Sequence, residues 1–372
     1  MKVAFLGIKS LPSTSGADRV VEAIVTRLPI DIEAYVYCDL EYTRADYFTP
    51  NVKIIRIKAF PGKYFRPVSL LLASTFHALF WGKYDLIHIH HVESCFVAPL
   101  LRLRFKVIAT SHGPAYAREK WNSFAKFLIH LMDYFYLWFP NVITSVSFPL
   151  TQEYSRFGRT VVYIPNGVDS TPEVDEEAST NALEAAGADH KFLLFVAARM
   201  DPTKGCHLLI EAFEKIAPDD IQLVIVGDTT TKPDYGNELL SKANNNIRFV
   251  PFTKSKPELM GIIMKSKIFV LPSTIEAMSM TLLEASSLGR PIICSDIPAN
   301  VSVIGKFALF FRNGDVNDLK EKIIKGLENP EEMDEMGYKG QTWVRDNFSW
   351  DAIVTKYYNL YRRTIFTNRS QD

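Results

Sequence analysis

The chain has 372 residues, 47% of them apolar, with 42 basic and 42 acidic side chains, an ordinary globular composition that is too long for one core and suits two domains of about 150 to 200 residues each. Its neutrality is a cancellation: residues 1–165 carry 19 Lys and Arg against 12 Asp and Glu, and residues 166–372 carry 23 against 30. The basic residues of the first half are scattered among apolar helices without a recognition motif, which argues against nucleic acid and makes a membrane surface the better partner.

In chain order, the first half reads as strands at Lys2 to Ile8, Glu33 to Tyr37, Val52 to Ile57, Leu86 to His90, Val107 to Thr110, Val142 to Val146 and Val161 to Ile164. The first strand begins at once, so no signal peptide is expected and the protein is expected to be cytoplasmic. The loop Lys9 to Ser15 and then Gly16 lead into a helix over Ala17 to Leu28, where Asp18 is a first-turn carboxylate favourable to the helix dipole. Lys58, Lys63 and Arg66 precede the apolar-aromatic stretch Val68 to Trp81. A second such stretch, Trp121 to Phe139, carries Tyr134, Tyr136 and Trp138 beside Lys120 and Lys126. The first is too short to span a bilayer, and Lys126, His130 and Asp133 interrupt the second. Both fit helices packed on a sheet, with exposed ends able to meet an interface.

The break between domains falls near Asn166-Gly167, and the polar run Thr171 to Ala178 after it reads as a connection. The second half then gives strands at Phe192 to Ala197, Ile221 to Val226, Ile247 to Val250, Ile268 to Leu271, Pro291 to Ser295 and Leu309 to Phe311. Short buried strands separated by helices predict an α/β chain with one doubly wound parallel sheet per half. The cysteines, Cys38, Cys95, Cys206 and Cys294, have neither metal nor disulfide spacing and read as free core thiols.

Two loops of the second half concentrate charge. Arg199 and Lys204 follow the strand Phe192 to Ala197, and Lys204 directly precedes a helix opening at Gly205. Glu276 follows the strand Ile268 to Leu271. Ser279 then caps a helix over Met280 to Leu288 that contains Glu284 and stops at Gly289. Arg199, Lys204 and Glu276 therefore project from carboxyl ends of parallel strands, with Glu284 inside the helix that follows, where a guanidinium, an ammonium and helix N-termini suit a diphosphate and a carboxylate suits a ribose diol.

These motifs, taken together and in order, resemble the retaining, nucleotide-sugar-dependent glycosyltransferases of family 4, with the GT-B fold. The resemblance covers nearly the whole chain: Lys2 to Gly16, Ser111-His112-Gly113, Ile164-Pro-Asn-Gly-Val-Asp169, Arg199 with Lys204-Gly205, Glu276 and Glu284, Gly289-Arg-Pro-Ile-Ile-Cys-Ser-Asp296, and Phe348-Ser-Trp350. It implies two Rossmann-like domains facing a cleft: 1–165 on the acceptor side, 166–349 binding the donor nucleotide, and a helix over 350–372 that crosses back to the first domain.

The same resemblance implies roles. His112, Arg199, Lys204 and Glu276 match catalytic positions, with His112 and Glu276 near the donor sugar and the two cations on the leaving diphosphate. Gly16, Asn166, Phe252, Met278, Ser279, Met280 and Glu284 match the donor-binding surface, with Gly16 approaching the diphosphate and Glu284 on the ribose. The base pocket is placed around Phe249 to Thr253 by position alone. Glu276-Ala-Met-Ser stands where many relatives have Glu-Gly-Phe-Gly, so Met278 and Ser279 side chains replace two glycines near the sugar.

The expected activity is transfer of a sugar, with retention, from a nucleotide diphosphate to a glycan, a lipid-linked (polyprenyl-diphosphate) intermediate of surface-polysaccharide assembly. No Asp-x-Asp occurs in the chain, so no metal and no cofactor are expected. Two other classes stay open: a nucleotide-sugar 2-epimerase, separable by a product assay without acceptor, and a non-catalytic GT-B binding protein, separable by donor turnover. A dinucleotide dehydrogenase is disfavoured because no Gly-x-Gly-x-x-Gly follows the first strand.

Overall fold

The computed structural model describes the chain except residues 14, 45–49, 63–64, 114–122, 189–190, 219 and 367–372, and except the side chains of residues 123–130. Lys63 and Lys120, and the side chain of Lys126, therefore lie outside the described residues. The chain divides into two compact units, one of residues 1–167 with 350–372, the other of residues 168–349.

The first unit holds seven strands: β1 (Lys2–Leu6), β2 (Glu33–Asp39), β3 (Val52–Ile57), β4 (Leu86–His90), β5 (Lys106–Ser111), β6 (Val142–Ser145) and β7 (Val161–Tyr163). They form one parallel sheet in the order β3-β2-β1-β4-β5-β6-β7. The second unit holds β8 (Phe192–Ala197), β9 (Gln222–Gly227), β10 (Ile247–Pro251), β11 (Ile268–Leu271), β12 (Ile292–Ser295) and β13 (Leu309–Phe311), parallel in the order β10-β9-β8-β11-β12-β13. Every predicted strand has its counterpart, because central strands buried on both faces are continuous apolar runs: all six residues of β8 and all four of β11 are buried. Each fully buried aliphatic side chain contributes about 1.5 to 3 kcal/mol.

Both sheets reverse direction beside their first strand. The order turns between β1 and β4 in the first unit and between β8 and β11 in the second, and the space beyond the carboxyl ends of such a pair is where open α/β sheets bind ligands. The topology thus selects the loops after β1, β4, β8 and β11.

The last helix, Trp350–Phe366, belongs to the first unit. Its Tyr357 and Tyr361 are fully buried, and Tyr361 Oη lies 2.9 Å from Nδ1 of His88 on β4. A side chain on Gly167 would come within 2.6 Å of the Trp350 ring, which is why glycine stands there. One expectation needs correction. The run Thr171 to Ala178 is not wholly a connection, because Asp175 caps a helix, Glu176–Ala185, by accepting from the Ala178 N–H at 2.9 Å. A capping aspartate followed by Glu176 and Glu177 is a helix start, and these first-turn acids gave the segment its polar look.

Candidate functional site

In the second unit, the loop after β8 is shaped by its own polar groups. Met200 is buried and its backbone N–H donates to the Asp228 carbonyl at 3.1 Å. Its methyl fills the place a side chain on Gly227 would need, 2.0 Å away. Asp201 accepts from the Thr203 N–H at 3.0 Å and hydroxyl at 2.9 Å, capping the short helix Pro202–Lys204, and pairs with Lys232. Partial burial opposes its ionisation, but the Lys232 ammonium and the Thr203 donors outweigh it and hold the carboxyl down to about 2.

The two charged loops are stitched together at Gly205. This residue sits at φ +71°, and a side chain there would meet the Pro272 carbonyl oxygen at 2.0 Å. Next to it the Thr274 N–H donates to the Thr203 carbonyl at 2.8 Å. The close approach brings Lys204 Nζ within 2.7 Å of Glu276 Oε1, with the side chains 32% and 10% exposed. Arg199 is exposed, and no ion pair to it is seen among the described residues.

The helix after Glu276 spans Met280–Ser287. Ser279 Oγ accepts from the Leu282 N–H at 3.3 Å, and Gly289 ends the segment at φ +71°. Because Ser279 also takes the Leu283 N–H on its carbonyl, the amides of Met280 and Thr281 head the helix without an intrahelical acceptor. Met278 and Ser279 are buried, and Glu284, one turn inside, is 1% exposed. Phe252 is half-buried just beyond β10. β10 is the edge strand, two places from β8, so Phe252 stands about 10 Å to the side of the Lys204 loop at ~4.8 Å per strand.

In the first unit, Gly16 opens the helix Gly16–Val25, and Ser15 Oγ accepts from the Asp18 N–H at 3.4 Å. Among the described residues nothing lies within 4 Å of where a Gly16 side chain would stand, so none of them requires glycine there. Asp18 does more than face a dipole: it is buried, and its Oδ1 accepts from the Lys9 N–H at 3.1 Å. Glu22 Oε2 likewise accepts from the Ser13 N–H at 3.1 Å. The first two turns of the helix therefore hold the loop after β1. Asn166 is buried at the end of the unit.

His112, one residue past β5, is half-buried, with Nε2 2.9 Å from His90 Nδ1 and the two rings stacked at 5.2 Å. His91 lies 5.2 Å from His112 on ring centroids. Burial first, and then the neighbouring imidazoles, hold the His112 pKa well below the ordinary value, so the ring is neutral at pH 7.

The same unit exposes an apolar stripe. In the helix Phe65–Trp81, which contains no acid, Phe65, Val68, Phe76, Phe80 and Trp81 are exposed, Phe80 at 69% and Trp81 at 70%. Lys83, two residues past its end, and Arg104, which donates to the Leu79 carbonyl, are exposed beside it. No described helix is long and apolar enough to cross a membrane.

The structure thus brings Lys204 and Glu276 into contact and places Arg199, Ser279, Met280 and Glu284 on the adjoining loop and helix. Gly16, His112 and Asn166 fall on the other unit. Sequence reasoning missed the roles of Asp201, Asp18, Glu22 and His90. A caps-and-turns signal, Asp201-Pro-Thr, was available for the first; His90 stands in the run Ile89-His-His-Val-Glu93, which looks similar to bacterial polysaccharide-assembly transferases but gives His90 no role of its own.

Comparison with known proteins follows the same division. The Glycosyltransferase Family 4 model matches residues 14–171, and the model Glycosyl transferases group 1 matches residues 180–343. An uncharacterised glycosyltransferase of Methanocaldococcus jannaschii is 26% identical over 94% of this chain and 95% of its own length. The O-antigen biosynthesis glycosyltransferase WclY of Escherichia coli is 24% identical over 55% of each chain. Among solved structures, the sucrose-phosphate synthase of Thermosynechococcus elongatus superposes with TM-score 0.79 at 19% identity, covering 97% of this chain and 98% of that one. HepE of Anabaena, in complex with UDP and glucose, gives TM-score 0.78 at 18% identity over 97% and 99%. With both halves matched in order and the double parallel-sheet architecture in place, the chain belongs to the glycosyltransferases of the family 4 type, with the GT-B fold.

Proposed function

We propose that this glycosyltransferase moves a sugar, with retention, from a nucleotide diphosphate to a glycan carried on a polyprenyl diphosphate, in surface-polysaccharide assembly. The observation that carries the donor assignment is the Lys204–Glu276 contact of 2.7 Å at the β8–β11 switch point. An ammonium held at that point by a carboxylate, with the helix-heading amides of Met280 and Thr281 on the same loop, is an arrangement for developing phosphate charge.

In this reading Lys204 and Arg199 stabilise the leaving diphosphate, so neither a bridging metal nor a cofactor is required, and the sequence has no Asp-x-Asp to hold such a metal. Glu276 orients Lys204 and meets the donor sugar, and Glu284 accepts from the ribose hydroxyls. Phe252 lies toward the base. Met278 and Ser279 shape the sugar pocket, Gly16 admits the diphosphate, and Asn166 and His112 serve the sugar side. The acceptor attacks from the face the leaving group quits, and the leaving phosphate takes its proton.

Two similar proteins support the substrate classes: HepE of Anabaena was solved with UDP-glucose, and WclY is an O-antigen biosynthesis glycosyltransferase. The lipid-linked acceptor accounts for the exposed Phe65–Trp81 stripe and the cations beside it, which suit peripheral contact with an anionic membrane from the cytoplasmic side. The test is a transfer assay across nucleotide sugars preceded by a thermal-shift donor screen, since specific binding to the native state raises stability. Donor conversion without acceptor into an epimer would replace the transferase reading. Donor binding with no turnover against any acceptor class would replace it with a binding protein.

A further inference from the structure

Four of the eight histidines gather at the carboxyl ends of β4 and β5: His88, His90, His91 and His112. Building on the reading that His112 meets the donor sugar, we propose that His90 is a positioning residue that fixes the tautomer of His112, so that His112 presents Nδ1–H as a hydrogen-bond donor.

One proton lies between His90 Nδ1 and His112 Nε2, which are 2.9 Å apart. If His112 supplied it, a neutral His90 would carry its own proton on Nε2, an atom that is buried and has no partner among the described residues. A buried N–H without an acceptor is the costlier defect; the reverse arrangement leaves only a bare lone pair at that place. His90 therefore donates from Nδ1, His112 Nε2 accepts, and the His112 proton sits on Nδ1. The imidazolium alternative is opposed by burial of both rings and by the adjacent imidazoles His88 and His91.

His90 is held firmly enough to act as the reference. Its ring lies 4.1 Å from that of His88, whose Nδ1 meets Tyr361 Oη at 2.9 Å and whose Nε2 meets Thr110 Oγ1 at 2.6 Å. Phe5 of β1 stacks on the other ring direction at 6.1 Å and 20°. The end of β1 presses on the His90 backbone, since a side chain on Gly7 would meet its carbonyl oxygen at 2.2 Å. His91 then turns the chain at φ +71° with its N–H on the Thr110 carbonyl at 3.0 Å. His112, half-buried at a strand end and followed by Gly113 at φ +154°, takes its ring plane from His90. With Nδ1 already protonated and Nε2 occupied, His112 has no free lone pair and does not serve as the general base.

The test is long-range 15N–1H correlation of the imidazoles in the full-length, ligand-free protein. His112 is expected with Nδ1 protonated and Nε2 bare. His90→Phe keeps a stacked ring but removes the donor, so His112 should move to the Nε2–H form, with kcat falling on the order of 10²-fold and nucleotide affinity unchanged. His90→Asn places an amide N–H where Nδ1–H stood and should restore the tautomer and most of kcat. A wild-type His112 protonated at Nε2, or an unchanged tautomer in folded His90→Phe, overturns the proposal. If His90→Phe does not fold, the wild-type spectrum and His90→Asn decide it. Undiminished turnover in His112→Ala would instead remove His112 from the site and leave the tautomer result standing.

Discussion

The two units put opposite electrostatics at the same topological place. Beyond β8 and β11 the groups are ionised and reach solvent: Arg199 is exposed and Lys204 pairs with Glu276. Beyond β4 and β5 they are neutral, packed imidazoles, with His88 pushed down to about 3 by burial and His90 and His112 held well below the ordinary value. A leaving diphosphate needs standing positive charge, whereas a neutral sugar needs oriented donors that do not change protonation.

The largest effect should come from removing the standing charge. Lys204→Ala or Arg199→Ala should cost about 2 to 4 kcal/mol of transition-state stabilisation in steady-state transfer, with the fold intact by circular dichroism. Near-wild-type turnover in a folded double variant would end the contrast between the units.

The two glutamates should then fail differently. Glu284→Gln removes charge-assisted acceptance and should weaken free nucleotide by roughly 1.5 to 3 kcal/mol, while Glu276→Gln should lower turnover and leave free-nucleotide affinity nearly unchanged. Calorimetry and transfer assays on both variants check this, and equal losses of nucleotide affinity would make the pair one electrostatic unit.

The neutral cluster predicts an acid-sensitive first unit. Because the folded pKa of His88 is depressed, the unfolded chain binds more protons between the ordinary value near 6.5 and about 3. Stability is therefore full above pH 6.5 and declines as pH falls through that window, and His90 and His112 act in the same direction. Denaturant midpoints of the His88→Gln variant against pH should be flatter than those of the wild type over this range; an identical slope would place the sensitivity elsewhere.

The smallest expected effect is at the surface. Replacing exposed Phe80 and Trp81 by serine should lower binding to anionic phosphatidylserine vesicles several-fold, since a ring resting at the interface takes only part of its apolar surface out of water. Folding should be unaffected. Equal sedimentation of variant and wild type with vesicles would deny the stripe a membrane role.

How much of this was legible depended on whether a feature is local. The strands, the Ser279 cap and the stop at Gly289 are written in apolar runs and single capping residues. The charged loops could be placed at strand ends for the same reason. What escaped was pairing across sequence. Lys204 and Glu276 are 72 residues apart and were given separate duties, and His90 meets His112 only because β4 and β5 are neighbours in the sheet. Asp18 was read from its own helix turn, while its partner is a backbone amide nine residues earlier. Local propensity carries no information on which loops a sheet order brings together.

The most direct test of the account is calorimetric titration of nucleoside diphosphates, UDP, GDP and ADP, into wild type and Lys204→Ala in the presence of EDTA. The account predicts that at least one diphosphate binds the wild type without metal and that the variant, still folded, binds it at least about tenfold more weakly, as expected when a charge-assisted contact is lost. Equal affinity in the two proteins, or wild-type binding that appears only when divalent metal is restored, would contradict the claim that the Lys204 loop neutralises the leaving diphosphate.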